Sequence, residues 1–118
     1  MDAVYAALTR LRVPIQRGEY DLHRLVCLAL DEAGIPWQHE VKLGPRCRID
    51  LLCGSVGIEI KRGKPERQRL MDQLTRYAAC GEIGSLLVVA ERSIDLPRSI
   101  LGKPVRVLCL NRLWGIAL

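Results

Sequence analysis

The segment Arg48–Lys61 (RIDLLCGSVGIEIK) constrains the fold more than any other part of the sequence. Two aliphatic runs flank Gly54-Ser55, a pair suited to a two-residue hairpin turn with glycine in the first central position. In that register Asp50 opposes Glu59, and strand alternation places Lys61 on the same face as both. Carboxylates that oppose each other at roughly 5 Å repel unless a cation lies between them. The segment therefore predicts a metal site with an ammonium group beside it.

The same alternation predicts an apolar face on the other side of the hairpin, formed by Ile49, Leu51, Ile58 and Ile60. A four-residue loop would set Asp50 opposite the lysine but would keep the three polar groups together. A three-residue loop would split them between the faces and bury a charge, so we do not favour it.

Composition indicates one globular domain that spans residues 1–118. The chain is 49% hydrophobic and 26% charged, and it has no apolar run of membrane-spanning length. Arg10 and Arg12 interrupt the N-terminal segment too early for a secretory signal, so we expect a cytoplasmic protein with no membrane partner. The five cysteines form no C-x-x-C pair, which favours buried reduced thiols over disulfides, zinc or an iron–sulfur cluster.

Hydrophobic spacing predicts an α/β fold with the order α-α-β-β-β-α-β-(α)-β, a mixed sheet of about five strands flanked by helices. The predicted helices cover residues 2–12, with Asp2 as N-cap, residues 19–33, ended by Gly34, and a third helix that Gly63 and Pro65 open and that runs to about Cys80. Beside the hairpin, strands are predicted at 37–43, 86–90 and 105–110, with an irregular turn or short helix at 96–101. Neither His23 nor His39 has a clustered partner in the sequence, so both are interpreted as structural.

The positive charge of the chain is concentrated directly after the hairpin. Residues 61–76 hold six basic and two acidic residues, a net charge of +4 within a total of +5. Such a patch favours a polyanion, and nucleic acid is the commonest one, although charge alone is equally consistent with a solvated helix face. The predicted phosphate contacts are Arg48, Arg62, Lys64, Arg67, Arg69 and Arg76.

Two motifs carry a resemblance to a known family. Asp50, eight further residues and then Glu59-Ile60-Lys61 resemble the D-x(n)-E-x-K signature of the PD-(D/E)XK nuclease superfamily, which has the restriction-endonuclease-like fold. Gln73-Leu-Thr-Arg-Tyr77 resembles the Q-x-x-x-Y element of RecB-type nucleases. The resemblance covers roughly residues 19–90, and it departs from the family pattern at Ile49, where many members have proline.

The resemblance implies a metal-dependent deoxyribonuclease that cleaves phosphodiester bonds, with endonuclease action expected. It implies Mg²⁺, or alternatively Mn²⁺, bound by Asp50 and Glu59 with the carbonyl of Ile60. Lys61 would orient the attacking water and hold the scissile phosphate. No small-molecule cofactor is expected.

The remaining site residues are assigned by the same resemblance. Glu19 would be a further metal-site glutamate, and Glu32 and Glu40 are substitutes for it. Gln73 and Tyr77 would position Lys61, a bound water or the substrate backbone.

DNA is the expected partner, and the residues do not distinguish it from RNA. We also expect a homodimer, because cleaving a duplex requires two strands to be cut. The alternative function is a catalytically silent nucleic-acid-binding or assembly module with the same fold.

Overall fold

The computed structural model describes residues 1–12 and 21–115, and the account that follows concerns these residues. They contain four helices: α1 (Asp2–Leu8), α2 (Leu22–Glu32), α3 (Arg67–Ala78) and α4 (Leu110–Leu113). They also contain six strands: β1 (Gln38–Gly44), β2 (Cys47–Cys53), β3 (Val56–Lys61), β4 (Ser85–Ala90), β5 (Ser99–Ile100) and β6 (Lys103–Cys109). None of these helices has the length and apolar character needed to cross a lipid bilayer.

The six strands form one open mixed sheet with the order β1-β2-β3-β4-β6-β5. β1, β2 and β3 form an antiparallel meander, β3, β4 and β6 run parallel, and β5 returns antiparallel to β6. α3 connects β3 to β4, as the predicted β-α-β unit requires. The predicted α/β class and its first seven elements are confirmed. Residues 96–101 contain the two-residue strand β5, and α4 was not predicted.

Helices cover both sides of the sheet and create two apolar layers. On one side, which we call the α1/α2 face, Val4, Leu8, Val26 and Leu30 pack on Leu51, Ile58, Ile60 and other strand residues. On the other, the α3 face, Leu70, Leu74 and Ala78 pack on Leu86, Val88 and their neighbours. α2 and α3 therefore each bury an apolar stripe against the sheet.

Several helix boundaries differ from the predictions because side chains and backbone caps decide them. α1 ends at Leu8, and Met1 rather than Asp2 is its N-cap. α2 begins at Leu22, where the Asp21 side chain accepts from the Arg24 N–H. Its end agrees with the prediction: Gly34 has φ +71° and follows the last turn.

α3 begins later than predicted, and Pro65 is not its first residue. Glu66 is the N-cap, and its carboxylate accepts from the N–H groups of Gln68 and Arg69. A carboxylate at this position satisfies two backbone donors that otherwise lack a partner at a helix start. Pro65 therefore lies in the loop, one residue before the cap.

The β2–β3 hairpin has the predicted two-residue turn. Leu51 pairs with Ile58 and Cys53 with Val56, and Gly54 has φ +60°. The ladder ends at the Leu51–Ile58 pair, and Asp50 and Glu59 are the next residues of the two strands. The hairpin therefore brings the two carboxylates to adjacent strands, as the sequence predicted.

One part of the face assignment is wrong. Leu51, Ile58 and Ile60 lie on the α1/α2 face, but Ile49 belongs to the α3 face. Its Cδ1 covers Gly57 so closely that a Cβ there would be 2.5 Å away. The regular alternation of β2 is therefore interrupted between Ile49 and Leu51, next to Asp50.

The two histidines are also closer than the sequence suggested. The rings of His23 and His39 meet edge to face with centroids 6.0 Å apart, so the prediction that neither has a clustered partner is wrong. α2 supplies one ring and the edge strand β1 supplies the other.

Candidate active site

Asp50 lies in β2 at the point where its ladder with β3 ends. The last pair of that ladder is Leu51 with Ile58, and one step further the Asp50 carboxylate accepts from the Ile60 N–H at 2.7 Å. A side-chain oxygen therefore takes the place of a backbone acceptor between the strands. This bond holds Asp50 against β3, and it uses Oδ2.

Glu59 lies in the middle of the sheet on β3 and is only 3% exposed. Its Oε2 is 3.1 Å from the Lys61 Nζ, two residues further along the same face. The lysine is the last residue of β3, and about a third of its side chain is exposed. The ammonium group therefore lies between a buried carboxylate and solvent.

Tyr77 lies on α3 and covers the site at the point where this helix crosses the strands. The Tyr77 hydroxyl donates to the Arg48 carbonyl at 2.9 Å, and it lies 3.1 Å from Glu59 Oε1. Gln73, one helical turn earlier, lies near the same hydroxyl and opposes the rise in its pKa that burial causes. Tyr77 is 1% exposed, so it is a buried link between α3, β2 and β3.

The electrostatics of the site follow from this burial. Burial raises the pKa of Glu59, and the nearby Asp50 carboxylate raises it further, whereas Lys61 and the Tyr77 hydrogen bond oppose the rise. Burial, followed by Glu59, also raises the pKa of Tyr77, which therefore remains a neutral hydroxyl. The site combines two carboxylates whose repulsion a bound cation would relieve.

The structure brings together five of the six predicted catalytic residues: Asp50, Glu59, Lys61, Gln73 and Tyr77. Of the three roles predicted for Gln73 and Tyr77, the positioning of Lys61 would be indirect, since Tyr77 reaches Glu59, the ion-pair partner of Lys61. The sixth residue, Glu19, lies outside the described residues.

The two substitutes for Glu19 lie in different places. Glu32 is exposed on α2 and lines a hollow with Arg10 and Arg12 on the α1/α2 face, away from Asp50. Glu40 lies on β1, where the pairs on either side of it set it opposite Asp50. Glu40 has φ +51°, which is uncommon for a residue with a side chain.

The exposed basic residues are distributed unevenly around this site. Lys61, Arg69, Gln73 and Arg76 line an open cleft of about 580 Å³ along α3, together with the carboxylates of Glu66 and Asp72. This cleft begins at the Lys61 ammonium and follows one side of the helix, so two of the six predicted phosphate contacts, Arg69 and Arg76, share a groove with Lys61.

The other predicted phosphate contacts point elsewhere. Arg67 donates to the Asp95 carbonyl at 2.9 Å, and Arg62 pairs with Glu91 at 3.8 Å. Lys64 is exposed in the loop before α3. Arg48 lies between two residues of the α3 face, so strand alternation turns its side chain away from Lys61 and only its carbonyl joins the cluster.

Glu91 is a site-supporting residue that sequence reasoning missed. It follows β4, accepts from the Gly63 N–H and forms an ion pair with Arg62, and its own N–H donates to the Lys61 carbonyl. These bonds fix the chain as it leaves β3. The available signal was its position as the first charged residue after a fully apolar strand, where parallel strands end at one edge.

The donor chemistry at Asp50 and Glu59 fits a hard divalent cation. Carboxylate and carbonyl oxygens are ligands that Mg²⁺ and Mn²⁺ accept, and Mg²⁺ usually keeps several waters. Within residues 1–12 and 21–115, no cluster of three or more His, Cys, Asp or Glu side chains is arranged to hold a metal. The described part of the site therefore offers two carboxylates, and backbone oxygens and water would complete the coordination.

Comparison of the chain with protein-family models, curated proteins and solved structures found no match.

Proposed function

We propose that this protein is a divalent-metal-dependent nuclease that hydrolyses DNA phosphodiester bonds, with a restriction-endonuclease-like core. The observation that carries the proposal is the convergence of Asp50, Glu59 and Lys61 at the β2–β3 hairpin. The element order from α2 to β4, with β3 and β4 parallel, supports the fold assignment.

Each residue has a role that its contacts support. Lys61 reaches solvent from a buried partner, so its ammonium can meet a phosphate oxygen and orient a water for attack. Tyr77 holds the Glu59 carboxylate in place, and Gln73 supports the tyrosine. Asp50 is fixed against β3 by the Ile60 N–H. Mg²⁺ or Mn²⁺, held by Asp50 and Glu59, would neutralise the charge that develops on the phosphate.

The structure of the site leads to a direct test with the Lys61→Ala variant. We expect cleavage of plasmid and linear DNA in Mg²⁺ or Mn²⁺ to fall at least about 100-fold, because positioned proton-transfer groups contribute 10²–10⁴-fold. DNA binding measured in EDTA should change little. Arg24→Ala, an exposed change on α2, is the matched control and should cut at the parent rate. If Lys61→Ala cleaves DNA at the parent rate, the role assigned to Lys61 is wrong.

The silent nucleic-acid-binding module remains the second candidate, and one observation favours it. Both oxygens of Glu59 already have partners inside the protein, Lys61 and Tyr77. If the parent protein binds DNA but cleaves neither plasmid, single-stranded nor branched DNA with any divalent metal, the silent module is the better account. RNA in the same assay tests the alternative substrate, and light scattering tests the expected homodimer.

A further inference from the structure

A second group of cations lies outside the site just described, at the turn between β1 and β2. Lys42, Arg46 and Arg48 line a hollow of about 420 Å³ together with Gly44 and Cys47. We call these three cations the β1–β2 turn cluster. All three are exposed, and none of the described residues that line the hollow is acidic.

Two positive charges of this cluster face each other directly and repel. Lys42 is the cross-strand partner of Arg48 in the β1–β2 ladder. Like charges directly opposite each other destabilise a strand pair. Within residues 1–12 and 21–115, no carboxylate forms an ion pair with any of the three cations. No ion pair within the described residues therefore offsets the repulsion of the cluster.

Arg46 adds a backbone cost to the electrostatic one. It has φ +55°, a conformation that glycine or asparagine adopts more readily than arginine. An arginine is therefore unfavourable at this backbone conformation. Unfavourable local geometry of this kind is typical of binding sites.

The cluster meets the α3 face at Cys47. This residue lines the hollow and packs on the α3 face, whereas Arg48 and its cross-strand partner Lys42 point to the other side of the hairpin. Burial raises the pKa of the Cys47 thiol, and Arg76, which lines the cleft, lies close enough to oppose this rise. The hollow and the cleft are therefore two separate basic sites on one molecule.

We propose that the β1–β2 turn cluster is a second phosphate-binding site, which holds the DNA backbone outside the cleft at Lys61. The role of that cleft rests on the proposed function, whereas phosphate binding at the turn does not. Guanidinium groups bind phosphate through two parallel hydrogen bonds, which suits the arginines of the cluster. The partner is therefore a nucleic acid longer than the cleft alone accommodates.

The test compares two variants that each lose three positive charges. The first is Lys42→Thr, Arg46→Gly, Arg48→Thr, in which threonine suits the strands and glycine suits the positive φ. The matched control is Arg10→Ala, Arg12→Ala, Arg24→Ala, exposed arginines on or next to the α1/α2 face. Binding to duplex DNA of graded length is measured by fluorescence anisotropy in EDTA over a range of salt concentrations.

For the cluster variant we expect at least a tenfold weaker affinity for long duplexes. The slope of log K against log salt concentration should fall by about 2 to 3, since each phosphate contact contributes about 0.9. Duplexes that reach only the cleft should lose little affinity, and the control should keep most of its slope. Circular dichroism and thermal unfolding establish that both variants are folded.

The outcomes separate this inference from the proposed nuclease activity. If the cluster variant binds long DNA as well as the control does, the second site is wrong even if the parent cuts DNA. If the parent never cuts but its binding depends on the cluster, the nuclease proposal fails and the second site stands. If polyglutamate competes as effectively as DNA of equal charge, the assignment to phosphate is wrong and an acidic protein fits better.

Discussion

The α1/α2 face and the α3 face are formed by the same strands, but they differ in whether they bury a charged side chain. The α1/α2 face packs Val26 and Leu30 on Leu51 and Ile58, with apolar side chains on both sides of the contact. The α3 face buries Glu59 beneath Tyr77 within a layer that is otherwise as apolar. One face therefore supplies stability from burial alone, and the other gives up part of that stability to hold a charged group.

The comparison indicates why the candidate site lies where it does. β3 and β4 are central strands buried on both faces, so a carboxylate placed there is shielded from water and rigidly held. Lys61, at the end of β3, connects that carboxylate with solvent. A rigid centre beside an open cleft is the arrangement that preorganised catalysis requires.

The largest expected effect on stability comes from a change on the α1/α2 face. Leu30 is fully buried on α2, so Leu30→Ala should lower the free energy of unfolding by about 3 kcal/mol, as other buried leucines do. Urea denaturation measures this loss. Cleavage per folded molecule, assayed well below the unfolding transition, should be unchanged.

The matched change on the other face is Leu74→Ala in α3, which is equally buried. It should cost a similar free energy, and it should also slow cleavage because Gln73 and Tyr77 lie on the same helix. Equal cleavage by both variants would mean that the two faces do not differ in function.

The second effect tests the hydroxyl that joins α3 to the strands. Tyr77→Phe leaves Glu59 Oε1 and the Arg48 carbonyl without this partner, so it should cost about 2 kcal/mol, the usual penalty for an unsatisfied buried group. If Tyr77 positions Glu59, the Mg²⁺ concentration needed for half-maximal cleavage should rise.

The control for that variant is Tyr5→Phe on α1. The Tyr5 ring lies under the Arg106 guanidinium, 3.6 Å from it, and the phenylalanine ring retains this contact. Its stability and its Mg²⁺ dependence should therefore remain close to those of the parent. A Tyr77→Phe variant that behaves like Tyr5→Phe would show that the hydroxyl has no role in the site.

Local sequence signals were sufficient for the hairpin and its polar face. Gly54 accepts the positive φ that the two-residue turn requires, and this turn fixes the register that aligns Asp50 with Glu59. The period of two along β3 then places Lys61 beside Glu59. These features depend on residues close in sequence, so the chain alone specifies them.

The features that could not be predicted depend on tertiary contacts. Ile49 leaves its expected face because Gly57, on the neighbouring strand, has no side chain and the Ile49 Cδ1 occupies that space. The Tyr77 contact with the Arg48 carbonyl requires the position of α3 over β2, which no local pattern encodes. The same holds for Glu91, whose bond to the Gly63 N–H joins two loops.

The smallest expected change in stability has the opposite sign and comes from Glu59→Gln. Burial and Asp50 raise the pKa of Glu59 in the folded protein, so the folded state binds this proton more tightly than the unfolded chain does. The stability from that proton is fully present below the unfolded pKa of about 4.3. It is lost as pH rises through the higher folded pKa.

Glutamine does not titrate, so the Glu59→Gln variant should lose no stability over that range. At neutral pH its free energy of unfolding should be about 1 kcal/mol higher than that of the parent. This value is near the lower end of the cost of burying an unfavourable polar group. Its carbonyl can accept from Lys61 and its NH₂ can donate to Tyr77, so both neighbours keep a partner. Cleavage should be lost, because the amide is a poor ligand for a hard cation. Urea denaturation at pH 4 and pH 7 measures the difference. If the variant is less stable than the parent at pH 7, the Lys61 ion pair stabilises the protein by more than the burial of Glu59 destabilises it. In that case the α3 face gives up no stability for its charge.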